Sequence, residues 1–378
     1  MMNELFFILC LVTSSIGHII DDHTMFKEDF ELERQLNIIN KTPVKSIHTK
    51  SGHIVDCIHI NKQPAFDHPL LKNHTLQKKP SFETSVKISQ IKPISILEKV
   101  ECPRGTVPIR RITKENLIQG KQLFDDHILD QNRVRSYSSQ AYLRGEDYYG
   151  ASGITSVYNP KVSMGQTSGS AVYVQNGVGG GANKIVVGWN VSPRLYNNGG
   201  THLFSLWTSN NFKSGCYNTM CPGFVQTDRS YYLGSRIEKT STYGNPYIVD
   251  LSVSISKDDR TQNWWLSIEN KAIGYFPGQL FSNLYKANEV GWGGLTISSA
   301  GVSAPDPPMG SGHFPDGNVI HTAYVRHIQY LNDIRQNIGP QYGKVKTYNN
   351  GRCYGAKYLG YRDEPEACIF LFGGPGAC

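Results

Sequence analysis

Short apolar-alternating runs separated by turn residues constrain the fold of this chain more than any other feature. From residue 140 onward such runs recur, and clusters of Gly, Asn, Pro and Ser divide them. The chain holds 37 glycines and 21 tyrosines, whereas the 3.6-residue apolar period of amphipathic helices is rare. Many short strands at this spacing predict a mainly β protein built as an antiparallel β-sandwich. The predicted strands include 156–158, 170–174, 184–191, 203–208, 224–227, 247–255, 264–268 and 294–297.

The amino-terminal end carries a different signal. Residues 5–17 form an apolar run that ends in small residues and is too short to span a bilayer. We therefore predict a signal peptide over residues 1–17, although no lysine or arginine precedes the run, and a secreted, extracellular protein. No later segment resembles a membrane span, so no membrane association is expected.

The segment from 18 to 133 is polar, rich in lysine and histidine, and has little periodicity. It contains one strand pattern near residues 52–58 and one capped-helix start at Thr113. Its composition fits either a poorly ordered leader or a folded segment that covers the following domain. Residues 130–139 read as a polar linker and a place for maturation cleavage, so the second domain is predicted to span 134–378.

A set of motifs in the second domain closely resembles the neprosin family of plant secreted proteins, whose founding member is a prolyl endopeptidase of the glutamic type. The resemblance implies a glutamic-peptidase-like β-sandwich preceded by an amino-terminal activation domain, which favours a folded pro-domain over residues 18–133. The motifs that carry it are 183–191 (NKIVVGWNV), 203–208 (LFSLWT), 215–218 (GCYN), 221–227 (CPGFVQT), 263–266 (NWWL), 274–277 (GYFP), 292–295 (WGGL) and, in the leader, 102–111 (CPRGTVPIRR).

Two positions break the family pattern. Family members usually have Glu two residues before Gly-Trp and Glu directly after Trp-Gly-Gly, and this chain has Val186 and Leu295 there. Peptide hydrolysis without a metal needs one carboxylate as a base and a second acid as a proton donor. Valine and leucine can do neither, so the resemblance implies a peptidase that has lost its acids. Many members also have Gln and Trp where this chain has Ala171 and Tyr173.

The nearest carboxylate to Leu295 in the sequence belongs to Glu289. A regular strand places both side chains on one face, about 20 Å apart. We predict that Glu289 is a solvated charge at a strand end rather than a replacement acid. Relocated acids remain the alternative, in which the protein is an active acid endopeptidase cleaving at proline.

Four aromatic residues near the lost acids suit either of two roles. They could line a cleft and stack on proline or sugar rings, or they could form core. The cleft interpretation makes the protein a binding pseudoenzyme for a proline-rich peptide or a cell-wall polymer. The residues are Trp189, Tyr196, Trp207 and Trp292.

Seven cysteines remain after the signal peptide, so one is left over. The family resemblance implies the pairs Cys57–Cys102 and Cys216–Cys221 and a third pair near the carboxyl end. For that third pair we favour Cys353–Cys378, which leaves Cys368 over, with Cys353–Cys368 as the alternative.

Other functional classes find little support in the sequence. The formal charge of +7 is spread over scattered basic residues, which disfavours nucleic-acid binding. No Cys-x-x-Cys or paired-histidine spacing predicts a metal site, and no cofactor is expected. Sequons at Asn40, Asn73 and Asn190 predict glycosylation, and the oligomeric state is not readable from the sequence.

Overall fold

The computed structural model describes residues 27–82, 96–128, 134–177, 182–210, 214–363 and 367–377. These residues form three antiparallel sheets, with few helices between them. None of the helices among them is long and apolar enough to cross a membrane. The helices are α1 (27–39), α2 (Lys114–Ile128) and α3 (Pro193–Tyr196), with 3-10 turns at Ile60–Lys62, Pro64–Asp67, Pro69–Leu71, Gly278–Leu280 and Tyr342–Lys344.

The amino-terminal segment is folded around a small sheet of its own. Its strands are β1 (Lys45–His48), β2 (Ile54–His59) and β3 (Thr106–Arg110), in that spatial order. The predicted Cys57–Cys102 disulfide is confirmed and ties β2 to the chain before β3. The predicted helix start is also confirmed, because Thr113 Oγ1 accepts the Asn116 N–H at 3.1 Å at the beginning of α2.

Two larger sheets stack as the predicted β-sandwich. In both, the strands pair only antiparallel, and the order departs from chain order because distant segments are brought together. The first sheet runs β10 (Val225–Gln226), β13 (Lys271–Phe276), β12 (Trp264–Ile268), β11 (Asp250–Lys257), β5 (Gly150–Ser156), β15 (Ala323–Leu331), β19 (Cys368–Gly373), β18 (Gly355–Tyr361), with β16 (Asn337–Ile338) on β15. The second runs β17 (Lys346–Asn349), β4 (Arg135–Tyr148), β14 (Ala287–Ser298), β6 (Gln166–Asn176), β7 (Asn183–Val191), β8 (Thr201–Ser209), β9 (Ser214–Tyr217).

Strand periodicity explains how the two sheets meet. Along β11, apolar residues that are buried alternate with polar residues that are half-buried, as a strand with one face on the core requires. Tryptophans of the seven-stranded sheet cross the gap and donate to β5 of the nine-stranded sheet. Trp292 Nε1 donates to Ser152 O at 2.8 Å, and Trp189 Nε1 donates to Ser156 O at 3.0 Å. These bonds satisfy the indole N–H groups inside an apolar layer.

The structure corrects two boundaries drawn from the sequence. Residues 134–139 are not a linker, because β4 already begins at Arg135 and pairs with β14 along its length. Residues 130–133 of the predicted linker lie outside the described residues. The strand predicted at 247–255 is β11, which is shifted to Asp250–Lys257. Its polar Ser254 and Ser256 alternate with apolar residues as regularly as the residues before them.

Candidate functional site

The seven-stranded sheet has one face on the sandwich core and one face turned away from it, here called the outer face. Trp189 and Trp292 point into the core, since both donate to β5. Side chains alternate along a strand, so positions an odd number of residues away point to the opposite side. Val186 and Leu295, each three residues from one of these tryptophans, therefore share the outer face.

The register of the strands separates these two positions along that face. Val186 pairs with Tyr173, which pairs in turn with Gly291, whereas Leu295 lies in a row with Asn190. The offset is four residues along the strands and two strands across, or about 16 Å between Cα atoms at ~3.3 Å per residue and ~4.8 Å per strand. The residue directly across from Val186 is therefore Gly291, at about 10 Å.

Tyr173 fills the space between Val186 and Gly291. A Cβ atom at Gly291 would lie 2.5 Å from the Tyr173 ring. The Tyr173 hydroxyl donates to Glu289 Oε1 at 2.8 Å, and burial, followed by the Glu289 charge, raises the Tyr173 pKa well above its usual value. The position at which many relatives have Trp thus carries a ring that covers this row of the outer face.

Glu289 is not the solvated strand-end charge that the sequence predicted. It is 5% exposed, and its carboxylate forms an ion pair with Arg144 while accepting the Tyr173 hydroxyl. The side chain of Arg144 is 47% exposed and reaches across from the neighbouring strand β4. The prediction failed because an edge-to-edge contact between β4 and β14 is invisible in the local sequence.

Lys184 completes a charged group on the outer face that sequence reasoning missed. Its Nζ lies 3.8 Å from the centre of the Tyr173 ring, a cation–π contact. Burial lowers the Lys184 pKa to about 8, and the Glu289 charge opposes that shift. Lys184, Gln175 and Glu289 occupy one row of the sheet. Lys184 lies two residues before Val186, so both side chains point to the same face of the strand. This spacing was the one sequence signal that could have placed Lys184 on the outer face.

The strands around Val186 and Leu295 hold too few acids for a carboxylate pair. Along the five strands β6, β7, β8, β9 and β14, Glu289 is the one acidic residue. Its carboxylate is already engaged in an ion pair with Arg144 and accepts a hydrogen bond from Tyr173. Val186, at the predicted acid position, is 4% exposed and surrounded by other buried side chains. This arrangement can hold a negative charge, but it lacks a second carboxyl to share a proton with it.

The four aromatic residues considered for a cleft are all buried and do not line an open cleft. Trp189 and Trp292 are 0% exposed and Trp207 is 1% exposed, all within the layer between or at the edge of the sheets. These three are core, as the alternative interpretation had it. Tyr196 lies in α3 and donates to Asn190 Oδ1 at 3.1 Å on the outer side of the sheet, where it is also buried.

The amino-terminal segment covers this Tyr196 end of the outer face. His53 contacts the Tyr196 carbonyl through Nε2 at 3.0 Å, and its ring centre lies 5.6 Å from that of His202. His202 stacks on Tyr196 at 3.9 Å, and Arg110 lies over the other side of this group, 5.4 Å from the Tyr196 ring centre. Helix α2 adds an ion pair from Asp126 to Arg194 at 3.7 Å.

The predicted modification sites differ in accessibility. Asn190 is 2% exposed and its amide oxygen is bonded to Tyr196, so folded protein cannot present it for glycosylation. Asn40 is half-buried, with its amide bonded to both backbone groups of Ile112. Asn73 is exposed on the surface.

The cysteine predictions agree with the structure where it describes them. The Cys216–Cys221 disulfide is confirmed. Cys368 is a buried free thiol, so the alternative pair Cys353–Cys368 is wrong. Cys353 is disulfide-bonded, and its predicted partner Cys378 lies outside the described residues.

Comparison with known proteins shows which family the chain belongs to. The chain matches the family model Neprosin over residues 164–375 and the model Neprosin activation peptide over residues 46–148. Similar solved structures include scytalido-glutamic peptidase with a peptide-based transition-state analogue, at 9% identity and a TM-score of 0.36, covering 64% of this chain and 98% of that chain. Another is SCP-B, a member of the Eqolisin family of peptidases, in complex with the tripeptide Ala-Ile-His, at 8% identity and a TM-score of 0.33, covering 63% and 98%. The Neprosin match spans more than half of the chain, and this protein therefore belongs to the neprosin family.

Proposed function

We propose that this protein is a secreted neprosin-family protein without glutamic endopeptidase activity, which binds a proline-rich peptide or a wall polymer on the outer face. The proposal rests on one observation: strands β6, β7, β8, β9 and β14 carry a single carboxylate, that of Glu289. Glu289 is bound by Arg144 and Tyr173, and the positions predicted for acids hold Val186 and Leu295. Each member of an acid–base pair commonly contributes a factor of roughly 10²–10⁴ to the rate, so losing both leaves little catalysis.

Peptide cleavage by the secreted protein after incubation near pH 3 tests the loss of activity. A mixture of proline-containing peptides is read by mass spectrometry, with Glu289→Gln as the matched variant. Wild-type protein that leaves the mixture uncut supports the proposal. Wild-type cleavage contradicts it.

Relocated acids are the second candidate, because Glu289 is buried on the outer face and bonded to Tyr173, the neighbour of Val186. In that case wild type cleaves the peptides and Glu289→Gln does not. Cleavage that survives in Glu289→Gln contradicts the assignment of Glu289 as the relocated acid, since no other acid lies on β6, β7, β8, β9 or β14.

Ligand binding on the outer face needs its own assay, since the central row is covered in the intact chain. Val186 and Tyr173 are each 4% exposed, whereas Leu295 on the same face is half-buried. Calorimetry with a proline-rich peptide and with a neutral wall oligosaccharide would compare wild type, Leu295→Arg and the control Tyr247→Arg. Tyr247 is 85% exposed and lies before β11 on the other sheet. Binding that only Leu295→Arg weakens supports this site, and equal effects of both variants contradict it.

Secretion and the two-domain division at residue 133 are part of the proposal. Residues 1–26 lie outside the described residues, as do 129–133. Amino-terminal sequencing of protein from culture medium would test both boundaries. A mature terminus near residue 18 supports the signal peptide, and retention of residue 1 contradicts it.

A further inference from the structure

A cavity of about 290 Å³ opens on the far side of the molecule, on the nine-stranded sheet. We propose that it binds a single sugar that carries an acidic group, either a carboxylate or a phosphate. The site does not depend on the outer face described above. Its lining includes Ser152, Ser254, Ser256, Asn270, Arg260 and Arg335.

The strand register turns a row of serines toward this cavity. On β11, Leu251, Val253 and Ile255 are buried in the core, so Ser254 and Ser256 point to the opposite face. Ser152 of β5 pairs with Ser254 and continues the row onto the next strand. Hydroxyl groups both donate and accept hydrogen bonds, which suits the hydroxyls of a sugar.

Arg335 supplies an unsatisfied donor at the edge of these serines. Its guanidinium stacks on the Tyr149 ring at 3.6 Å, and Nη2 forms an ion pair with Asp259. Nη1 is buried and has no hydrogen-bond partner among the described residues. A buried donor left unpaired is destabilising, so a ligand oxygen that bonds to this atom would be stabilised.

The backbone of Arg335 holds the side chain in this place at some cost. Its φ of 62° lies in the left-handed region, which is unfavourable for a residue with a long side chain. The hairpin that joins β15 and β16 fixes this conformation through the bond from Arg335 N to Asn332 O at 3.1 Å. The guanidinium is therefore positioned before any ligand arrives.

The charge around the cavity favours an anion. Arg260 and Arg335 line it together with one carboxylate, Asp259, and with Lys257, whose Nζ donates to the Tyr285 carbonyl. Burial, followed by the repelling charge of Arg335, lowers the pKa of Lys257 to about 8. An anionic ligand group would relieve that repulsion.

The size and lining limit the rest of the ligand. A volume near 290 Å³ lies at the small end of ligand sites, which suits one sugar rather than a long peptide. Phe82 adds an aromatic surface at the rim. A polar, hydroxyl-lined cavity with cations thus matches an acidic sugar better than an apolar molecule.

Calorimetric titration of the full-length secreted protein tests the proposal. The probes are galacturonic acid, glucose 6-phosphate, galactose and inorganic phosphate. We expect an acidic sugar to bind at least about tenfold more tightly than galactose and inorganic phosphate, because it alone combines a charge-assisted hydrogen bond with hydroxyl groups that can bond to the serines. The preferred acidic sugar then tells whether carboxylate or phosphate is the natural group. No binding of either acidic sugar, or equal binding of galactose or of phosphate alone, overturns the proposal.

Variants locate the binding in this cavity. Arg335→Gln should lower the affinity for the acidic sugar at least about tenfold. Arg352→Gln removes the same charge from an exposed position and should leave this affinity unchanged. Should Arg335→Gln fail to fold, the pair Ser254→Asp and Ser254→Asn differs by one charge inside the cavity. Binding lost in Ser254→Asp and kept in Ser254→Asn supports the site, and equal binding by both variants refutes it. Leu295→Arg should leave this binding unchanged, which separates the result from that of the outer face.

Discussion

The substitution His202→Phe should reduce the decrease in unfolding free energy that this protein undergoes as the pH falls from 7 to 5. His202 is 0% exposed, and its Nδ1 donates to the Gly200 carbonyl at 2.9 Å while Nε2 has no partner among the described residues. Burial first, and then the neighbouring His53, lower the His202 pKa well below 6.5. The ring is therefore held neutral in the folded protein.

The size of the effect follows from the linkage between protonation and folding. Below pH 6.5 the unfolded chain binds a proton at this histidine and the folded chain does not. The free energy of unfolding therefore falls with pH, by about 1.4 kcal/mol per pH unit until the folded pKa is reached. Between pH 6.5 and pH 5 the loss amounts to as much as about 2 kcal/mol.

Urea unfolding of wild type and His202→Phe at several pH values between 7 and 5 measures this loss. Phenylalanine keeps the stack on Tyr196 but cannot titrate. The unfolding free energy of wild type minus that of His202→Phe should therefore fall by as much as about 2 kcal/mol between pH 6.5 and pH 5 and change sign. The lost bond to Gly200 adds a constant offset of about 1 kcal/mol that does not depend on pH. Replacing exposed His48 by Phe provides the control and should leave the pH slope unchanged.

A difference that stays constant from pH 7 to pH 5 would refute the reasoning. It would mean that His202 has the same affinity for protons in the folded and unfolded chains. His53 titrates in the same contact, so the measured midpoints belong to the pair. Because His53 comes from the amino-terminal segment, protonation is expected to weaken its contact with the sandwich, and limited proteolysis of that segment should accelerate at pH 5.

Three further results are expected. Tyr173→Phe removes the hydroxyl that donates to Glu289 and should lower the free energy of unfolding by about 1–3 kcal/mol in urea titrations, and unchanged stability would contradict the buried contact. Asn73→Gln should abolish the mass added by glycosylation in secreted protein, whereas Asn190→Gln should not change it, and a glycan found on Asn190 would contradict its burial. Cys368 should react with a thiol reagent only after unfolding, and Cys368→Ser should remove that reaction, so labelling of this residue in native protein would be the opposing result.

The local patterns predicted the fold class because they depend on neighbours in the chain. Alternation in β11 and the capped start of α2 are set by residues two to four positions apart, and both occur as expected. Motif spacing also identified the family, since the matched segments lie in the same order along the chain. The linker was predicted to extend too far, to residue 139, because β4 is polar along one side and its pairing with β14 is a long-range contact.

The candidate site required contacts between distant segments. Glu289 meets Arg144 from a strand that lies 145 residues earlier, and no local pattern distinguishes this pair from two solvated charges. The sequence left open whether Trp189 and Trp292 belong to the core or to a cleft. Their indole hydrogen bonds to β5 show that both side chains lie on the core side of the sheet. The serine-lined cavity likewise joins β5, β11 and the β15–β16 hairpin.

The sequence by itself determined that this is a two-sheet neprosin-type protein with aliphatic residues where its relatives usually have acids. Residue identity is a property of the chain, so the sequence alone predicted that Val186 and Leu295 stand at the acid positions. Only the tertiary structure decided that Gly291 lies across from Val186 and that Glu289 is buried against Arg144 and Tyr173. Strand register fixes those distances, and register is set by the packing of the whole sheet rather than by any one strand.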